Sequence, residues 1–331
     1  MTTLVTGATG FLGRHLVDLL QERGDSIRAV ARPGPGVDWL RSRAVEVVPG
    51  SVEDVDVLRA AAAGCSLVFN LAGVVSHERR DLPQLCAVNG LAVERLLEVV
   101  DRDSRVVHVS SVAAVGPLSP SEPPANESHL FPPSTARLPY AFSKRRGELA
   151  AFAAAARGLD VVVACPGFLL GPGDVHRVST WPISAYLSGR LRFTVKGGLS
   201  FTDVRDVAEG ILALADRGRP GERTILTALD GNLDWPDLFA LIADVSGTRR
   251  RTIPLPSRLA LGGAKLAPWL VKPGEVRAAS FRWHYSPAKA IAELGFQTRP
   301  LADTIADTIA DHDRAGHGRR RDSRGGDVAS H

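Results

Sequence analysis

A tyrosine and a lysine four residues apart, Tyr140-Ala-Phe-Ser-Lys144, open a helical pattern and so project from one face of it. A free phenol is a poor acid–base group at neutral pH. A nearby ammonium favours its anion, so the pair can carry a proton to or from a reacting oxygen. On a helix of no special function, the same spacing gives one half-buried ring and one solvated amine. A second segment narrows the chemistry. Thr6-Gly7-Ala8-Thr9-Gly10-Phe11-Leu12-Gly13 carries Gly-x-x-Gly-x-x-Gly between an expected strand and an expected helix. The first glycine permits a tight turn, the second admits a pyrophosphate to the backbone, and the third lets helix and strand pack closely. The helix N-terminus then faces the phosphate charge. Gly7, Thr9, Gly10, Phe11, Leu12 and Gly13 are therefore the expected dinucleotide contacts.

The second strand selects between dinucleotides. It ends Arg28-Ala29-Val30-Ala31-Arg32-Pro33, with no acid to hold a ribose 2′-hydroxyl. A guanidinium pairs well with a phosphate, so Arg32 favours NADP(H) over NAD(H). A solvated arginine at a strand end is the plain alternative.

These residues need a scaffold. Short β-branched runs alternate with helical patterns through the first half, which predicts an α/β fold: a doubly wound parallel sheet of Rossmann type, covered by helices on both faces. Expected strands are Thr3 to Thr6, Ile27 to Ala31, Val45 to Val48, Leu67 to Leu71, Val106 to Ser110 and Val161 to Ala164, apolar throughout as a doubly covered sheet requires. A helix from Gly10 to Arg23 is closed by Gly24. Gly116 to Pro139 holds seven prolines and reads as a long loop leading into Tyr140. Residues 1–170 form the dinucleotide-binding domain and 171–312 a smaller C-terminal α+β substrate lobe, in which a helix over 203–217 packs back on the first domain. Residues 313–331, with Arg319-Arg320-Arg321 and little that is apolar, read as a disordered tail.

The glycine loop, Asn70-Leu71-Ala72-Gly73, Val109-Ser-Ser-Val-Ala-Ala-Val-Gly116, Tyr140 and Lys144 together resemble the extended short-chain dehydrogenase/reductase family, from Thr3 to about His312. The resemblance implies that Ser111 hydrogen-bonds the reacting oxygen and that Tyr140 carries the proton. It implies that Lys144 holds the nicotinamide ribose and lowers the tyrosine pKa. Leu71, Ala72 and Gly73 would line the cofactor, with Pro166 to Phe168 near the nicotinamide. Gly50-Ser51 stands where the family often has Gly-Asp, which weakens adenine contacts there, and Asn89 is followed by Ala92-Val93 rather than Gly-Thr.

The substrate half is read from departures. Sugar-nucleotide epimerases of the family usually place an Asn where this chain has Phe168 and an Arg where it has Leu199, and the dehydratases add an acid that Val112, Ala113 and Ala114 do not supply. The chain thus resembles the dihydroflavonol-reductase and 3β-hydroxysteroid-dehydrogenase branch, which implies reduction or oxidation of an apolar carbonyl or alcohol. Rival readings are a sugar epimerase with retained cofactor and a non-catalytic cofactor-binding scaffold. Phe168, Leu169, Trp181, Tyr186 and Trp283 line the pocket or are ordinary core; His176, Arg177 and His284 are further candidates.

Composition narrows the remaining classes. With 40 Lys plus Arg against 36 Asp plus Glu, the net charge of +4 gives no reason to expect a nucleic-acid partner. Cys65, Cys86 and Cys165 are odd in number, far apart and set in apolar stretches, so no metal site is expected and a reducing cytoplasm fits. The first residues show no secretory signal, so the mature protein is expected to begin near Met1. No run approaches the roughly 20 apolar residues of a membrane span. Leu259 to Val271 comes nearest, interrupted by Lys265 and Pro268, and is expected to pack on the core or over the pocket, with peripheral membrane contact as the lesser alternative. A homodimer through the helices after strands four and five would follow family habit.

Overall fold

The computed structural model describes residues 2–175, 177–269 and 271–322. Its strands in chain order are β1 Thr2–Thr6, β2 Ser26–Ala31, β3 Glu46–Pro49, β4 Leu67–Asn70, β5 Arg105–Val109, β6 Asp160–Pro166, β7 Phe168–Leu170, β8 Phe193–Thr194, β9 Gly198–Asp203, β10 Arg223–Leu226, β11 Asn232–Asp234, β12 Ile253–Pro254 and β13 Arg282–Trp283. Seven of them form one parallel sheet in the order β10-β6-β5-β4-β1-β2-β3. The central strands are buried almost end to end, which explains why they read as apolar runs without alternation, whereas the edge strand β3 is partly exposed.

Helices cover both faces, as expected for a Rossmann sheet. On one, Leu16 and Leu20 of the helix Phe11–Glu22 meet Val207, Ile211 and Leu214 of the helix Val204–Arg217 over β1, β2 and β4. On the other, Leu58, Leu96, Ala151 and Ala154 from three helices pack over Leu4, Val68 and Val106. Chain order reverses between β1 and β4, whose last residues Thr6 and Asn70 sit side by side. Open α/β sheets bind ligands at that point, beyond the carboxyl ends of the strands.

A smaller layer follows at once. β6 ends at Pro166 and, one residue later, β7 pairs with β9 in a second sheet that also holds β11 and β13. Its core holds Leu170, Ile183, Tyr186, Phe201, Leu238, Ile242, Leu301 and Ile305. The helix Val204–Arg217 packs back on the large layer as expected, but β10, which also follows residue 170, joins the large sheet, so the division at residue 170 does not follow the sheets. A four-residue strand carries no mark of which sheet it will join.

Three further segments bear on the expectations. The helix Ser257–Leu266 buries only Ala264 and so does not pack into a core, whereas Trp269 after it lines a cavity beside His77. The last helix runs Leu301–Asp322, so residues 313–322 are helical rather than tail, and the rest of the expected tail lies outside the described residues. The proline-rich loop contains one 3-10 turn, Pro133–Arg137, and is tied down by bridges from Leu118 to Arg282 and from Ala125 to Tyr285. Among the described residues no helix is long and apolar enough to cross a membrane, and no cluster of His, Cys, Asp and Glu could hold a metal ion.

Candidate active site

Two glycines of the loop are required by space. Gly7 has φ +71°, and a Cβ there would lie 2.8 Å from Ala72 N; a Cβ on Gly13 would lie 2.2 Å from the Gly7 carbonyl oxygen. Loop, β4 end and helix are thus in backbone contact, an approach only glycine allows. Gly10 caps the helix without a side-chain hydrogen bond, and the first turn contains no acid, so the N–H groups at this helix end have no side-chain acceptor from the cap. Leu12 is buried in the core and can offer only its backbone here, while Phe11 is half-buried with its ring against His15. Thr9 accepts from Arg14 Nε at 3.2 Å through its carbonyl, and its methyl packs where a Cβ on Gly36 would stand.

Beneath the loop lies a polar relay absent from the sequence reading. Thr6 Oγ1 donates to Asn70 Oδ1 at 2.7 Å and accepts from Ala72 N at 3.1 Å, which holds Leu71, Ala72 and Gly73 against the glycine loop. Asn70 Nδ2 lies 3.2 Å from His108 Nδ1. Burial, with the nearby Lys144 charge, pushes the His108 pKa down to about 3, so the ring is neutral and Nδ1 accepts.

Ser111, Tyr140 and Lys144 converge at the ends of β5 and β6. Ser111 caps the short helix Val112–Val115, its Oγ accepting from Ala113 N at 3.1 Å, and it stands close enough to Tyr140 to pull the phenol pKa down. Tyr140 stands in the first turn of the helix Pro139–Ala156, with the His77 ring edge-on at 5.8 Å. Lys144, one turn on, is buried and donates to the Val109 carbonyl at 2.8 Å. Burial lowers its pKa to about 8, against the raising influence of Cys165 and Glu148. The surroundings of Cys165 are therefore not purely apolar: its thiol lies 3.5 Å from Glu148 Oε1. The tyrosine also differs from expectation. Burial raises its pKa above the ordinary phenol value, only partly offset by the Ser111 hydroxyl, so the phenol stays protonated at neutral pH.

Asn89 is a further member that the sequence marked only as a family position. It sits in a π-helical turn, Ala87–Leu91, accepts from Val74 N at 3.0 Å, and donates to the Val74 carbonyl at 2.9 Å and to Ser143 Oγ at 3.0 Å. One side chain thus joins the segment Gly73-Val74 that follows β4 to the helix bearing Tyr140 and Lys144. On the far side of His77, whose ring meets Tyr140, lies a cavity of about 500 Å³ lined by His77, Arg79, Arg80, Trp269, Lys272 and Arg277 among others.

Residues 3–226 match the model of the NAD dependent epimerase/dehydratase family, more than half of the chain. The chain belongs to this family. Its similarity extends to sterol demethylase protein B of Methylococcus capsulatus, at 34% identity over 80% of this chain and 81% of that one. A putative dihydroflavonol 4-reductase of Synechocystis sp. is 31% identical over 92% of both chains. A crystal structure named as a nucleoside-diphosphate-sugar epimerase from Pseudomonas aeruginosa superposes with a TM-score of 0.77 at 27% identity, covering 96% of this chain and 98% of that one. The chain is thus an NAD(P)-dependent oxidoreductase with the extended short-chain dehydrogenase/reductase fold.

Within this epimerase/dehydratase chain the other expected residues divide. Pro166 is buried at the end of β6, and Phe168 turns its ring onto Phe201 at 5.5 Å, into the small layer. Arg32 is exposed at the end of β2 and makes no ion pair among the described residues. Tyr186 is core rather than pocket, stacked on Phe239 at 5.2 Å with its hydroxyl held by the Arg250 backbone. Trp283 is likewise buried, its Nε1 donating to the Ala278 carbonyl. Leu169 is half-buried against the large core, Trp181 is largely exposed, His284 is buried beside Arg282, and Arg177 bonds the His312 carbonyl; His176 lies outside the described residues.

Proposed function

We propose that this chain is an NADP(H)-dependent reductase/dehydrogenase acting on the carbonyl or secondary alcohol of an apolar small molecule through Ser111, Tyr140 and Lys144. The observation that carries the reading is the placement of Ser111 beside Tyr140, with the Lys144 ammonium one helical turn away, buried and donating to the Val109 carbonyl at the end of β5. Gly7, Gly10 and Gly13 would hold the pyrophosphate at the helix start, and Leu71 to Gly73 would line the same groove. Arg32, with no ion pair among the described residues, would meet a 2′-phosphate, and Arg14 and Arg43, each over the Trp39 ring at 4.6 and 4.2 Å, add positive charge, Arg14 holding the Thr9 carbonyl of the glycine loop.

Bound there, a reduced nicotinamide supplies the hydride. The rest falls to the protein. Ser111 donates to the carbonyl oxygen and fixes it beside the phenol. Tyr140, held protonated by burial, gives its proton to that oxygen as negative charge develops on it. Lys144 keeps a positive charge under the tyrosinate that remains and helps to return its proton. In the opposite direction the same groups act in reverse. An apolar substrate is favoured by Phe168 and Leu199, which offer no anion contact to a sugar diphosphate. The names of the sterol and dihydroflavonol relatives point the same way.

Purified protein mixed with NADPH or NADH and a panel of keto-steroids, aryl ketones, β-keto acids and UDP-sugars tests this through nicotinamide absorbance. NADPH consumption with an apolar ketone is expected, and Arg32→Glu should shift preference toward NADH. Tyr140→Phe should slow turnover by about 10²–10⁴-fold while sparing cofactor affinity. Sugar interconversion without net consumption would instead identify an epimerase.

A further inference from the structure

The helix Ser257–Leu266 and the turn after it present apolar side chains to open solvent. Leu259, Leu266, Trp269 and Val271 are 66%, 82%, 78% and 42% exposed. At 100° per residue Leu259 and Leu266 share one face, with Gly262 and Gly263 on either side of that line, and a Cβ on either glycine would meet nothing within 4 Å. The opposite face, through Ala264, is the one held by the protein.

Charge says what covers the open face. Between Asp244 and Glu275 stand six basic residues, Arg249, Arg250, Arg251, Arg258, Lys265 and Lys272, and no acid. Arg258 and Lys265, seven apart, flank the apolar line on one side, and neither they nor Lys272 make an ion pair among the described residues. An apolar stripe with a tryptophan and only cations between residues 245 and 274 complements an anionic lipid interface, the neighbouring acids Glu78 and Glu275 being engaged by Gly274 N and His77, whereas a protein partner of mixed charge would leave these cations unmatched.

We infer that this face docks on an anionic lipid surface, Leu259, Leu266, Trp269 and Val271 entering the apolar layer while Arg258, Lys265 and Lys272 meet the headgroups. The face connects to the active site. Gly274 donates to Glu78 Oε1 at 2.8 Å, and a Cβ on it would lie 2.1 Å from the His77 carbonyl, so the docking segment is fastened to the loop whose His77 ring touches Tyr140. The cavity of about 500 Å³ lies between the two segments. If the substrate is apolar, as proposed above, docking would bring the lipid source of that substrate to the side of the molecule where the His77 loop meets Tyr140. Docking itself stands on the surface alone.

Flotation of the full chain with phosphatidylcholine vesicles, with and without phosphatidylglycerol, tests docking in the absence of any substrate. Binding is expected only with phosphatidylglycerol and should be lost at about 0.5 M salt, where charge screening is short-ranged. Leu259→Glu together with Leu266→Glu should weaken partition by about tenfold or more while leaving the thermal transition and NADPH binding unchanged. Three results would each overturn the inference: a wild-type chain that stays below the anionic vesicles, a double variant that floats as well as wild type, or a wild-type dimer that the double variant turns into a monomer. None of these bears on whether Tyr140 reduces a ketone.

Discussion

Burial moves Tyr140 and Lys144 in opposite directions along the pH scale. The phenol is raised, which suits a proton donor, and the ammonium is lowered to about 8. For reduction, kcat/KM reports the free enzyme, so it should be level near neutrality and fall as pH rises through about 8, where Lys144 loses its charge. Lys144→Arg should move that alkaline limb upward; an unmoved limb would assign it to another group. His108 gives a stability prediction. Its pKa is about 3 folded and ordinarily 6.5, so between those values the unfolded chain binds a proton that the folded chain does not. Stability therefore falls as pH drops through this window, by at most about 1.4 kcal/mol per pH unit. His108→Asn should lower the pH of acid unfolding followed by circular dichroism, while costing about 1–3 kcal/mol at neutral pH through the lost Asn70 partner.

At the scale of elements, the contact between glycine loop and first helix leaves no room for a side chain. Gly13→Ala would set a methyl group 2.2 Å from the Gly7 carbonyl oxygen, so the helix must withdraw from the loop. Denaturant unfolding should show a loss of about 1–3 kcal/mol, and NADPH titration should show a larger fractional loss of affinity than of helix content. Elements of this kind were legible in the sequence because their signals are local: glycine spacing, buried apolar runs, Gly24 closing a helix. The catalytic trio was legible through spacing and resemblance. The Thr6–Asn70–His108 relay was not, because its members are 64 and 38 residues apart and each is an ordinary polar residue within its own strand. Nor could local pattern separate Tyr186 and Trp283 as core from Trp181 as surface, since all three are aromatics in short helical or strand segments.

For the molecule as a whole, the small layer is fastened to the active site as well as to the large sheet. The fully buried Tyr285 reaches across to donate to the carbonyls of Val112 and Gly116, at 3.1 and 2.7 Å, at the two ends of the turn that Ser111 caps. Tyr285→Phe leaves both acceptors without this donor, and should cost about 1–3 kcal/mol in denaturant unfolding and lower kcat more than it raises KM. The last helix closes the other side, where Thr304 Oγ1 donates to Asp203 at 2.9 Å and Thr308 accepts from Gly171 N at 3.0 Å. Removing residues 301–331 should expose the Tyr186–Phe239 cluster and show as dye binding or loss of a cooperative melt. One earlier feature then acquires a mechanical meaning. At one of the crossings between the sheets a single residue, Gly167, joins β6 to β7, and a Cβ there would lie 2.5 Å from the Ser200 carbonyl oxygen. A joint so short and so tightly packed is a weld rather than a hinge. With the layers welded there, a ligand is expected to enter at the rim, past the proline-rich loop, the His77 loop or the cationic segment beside it.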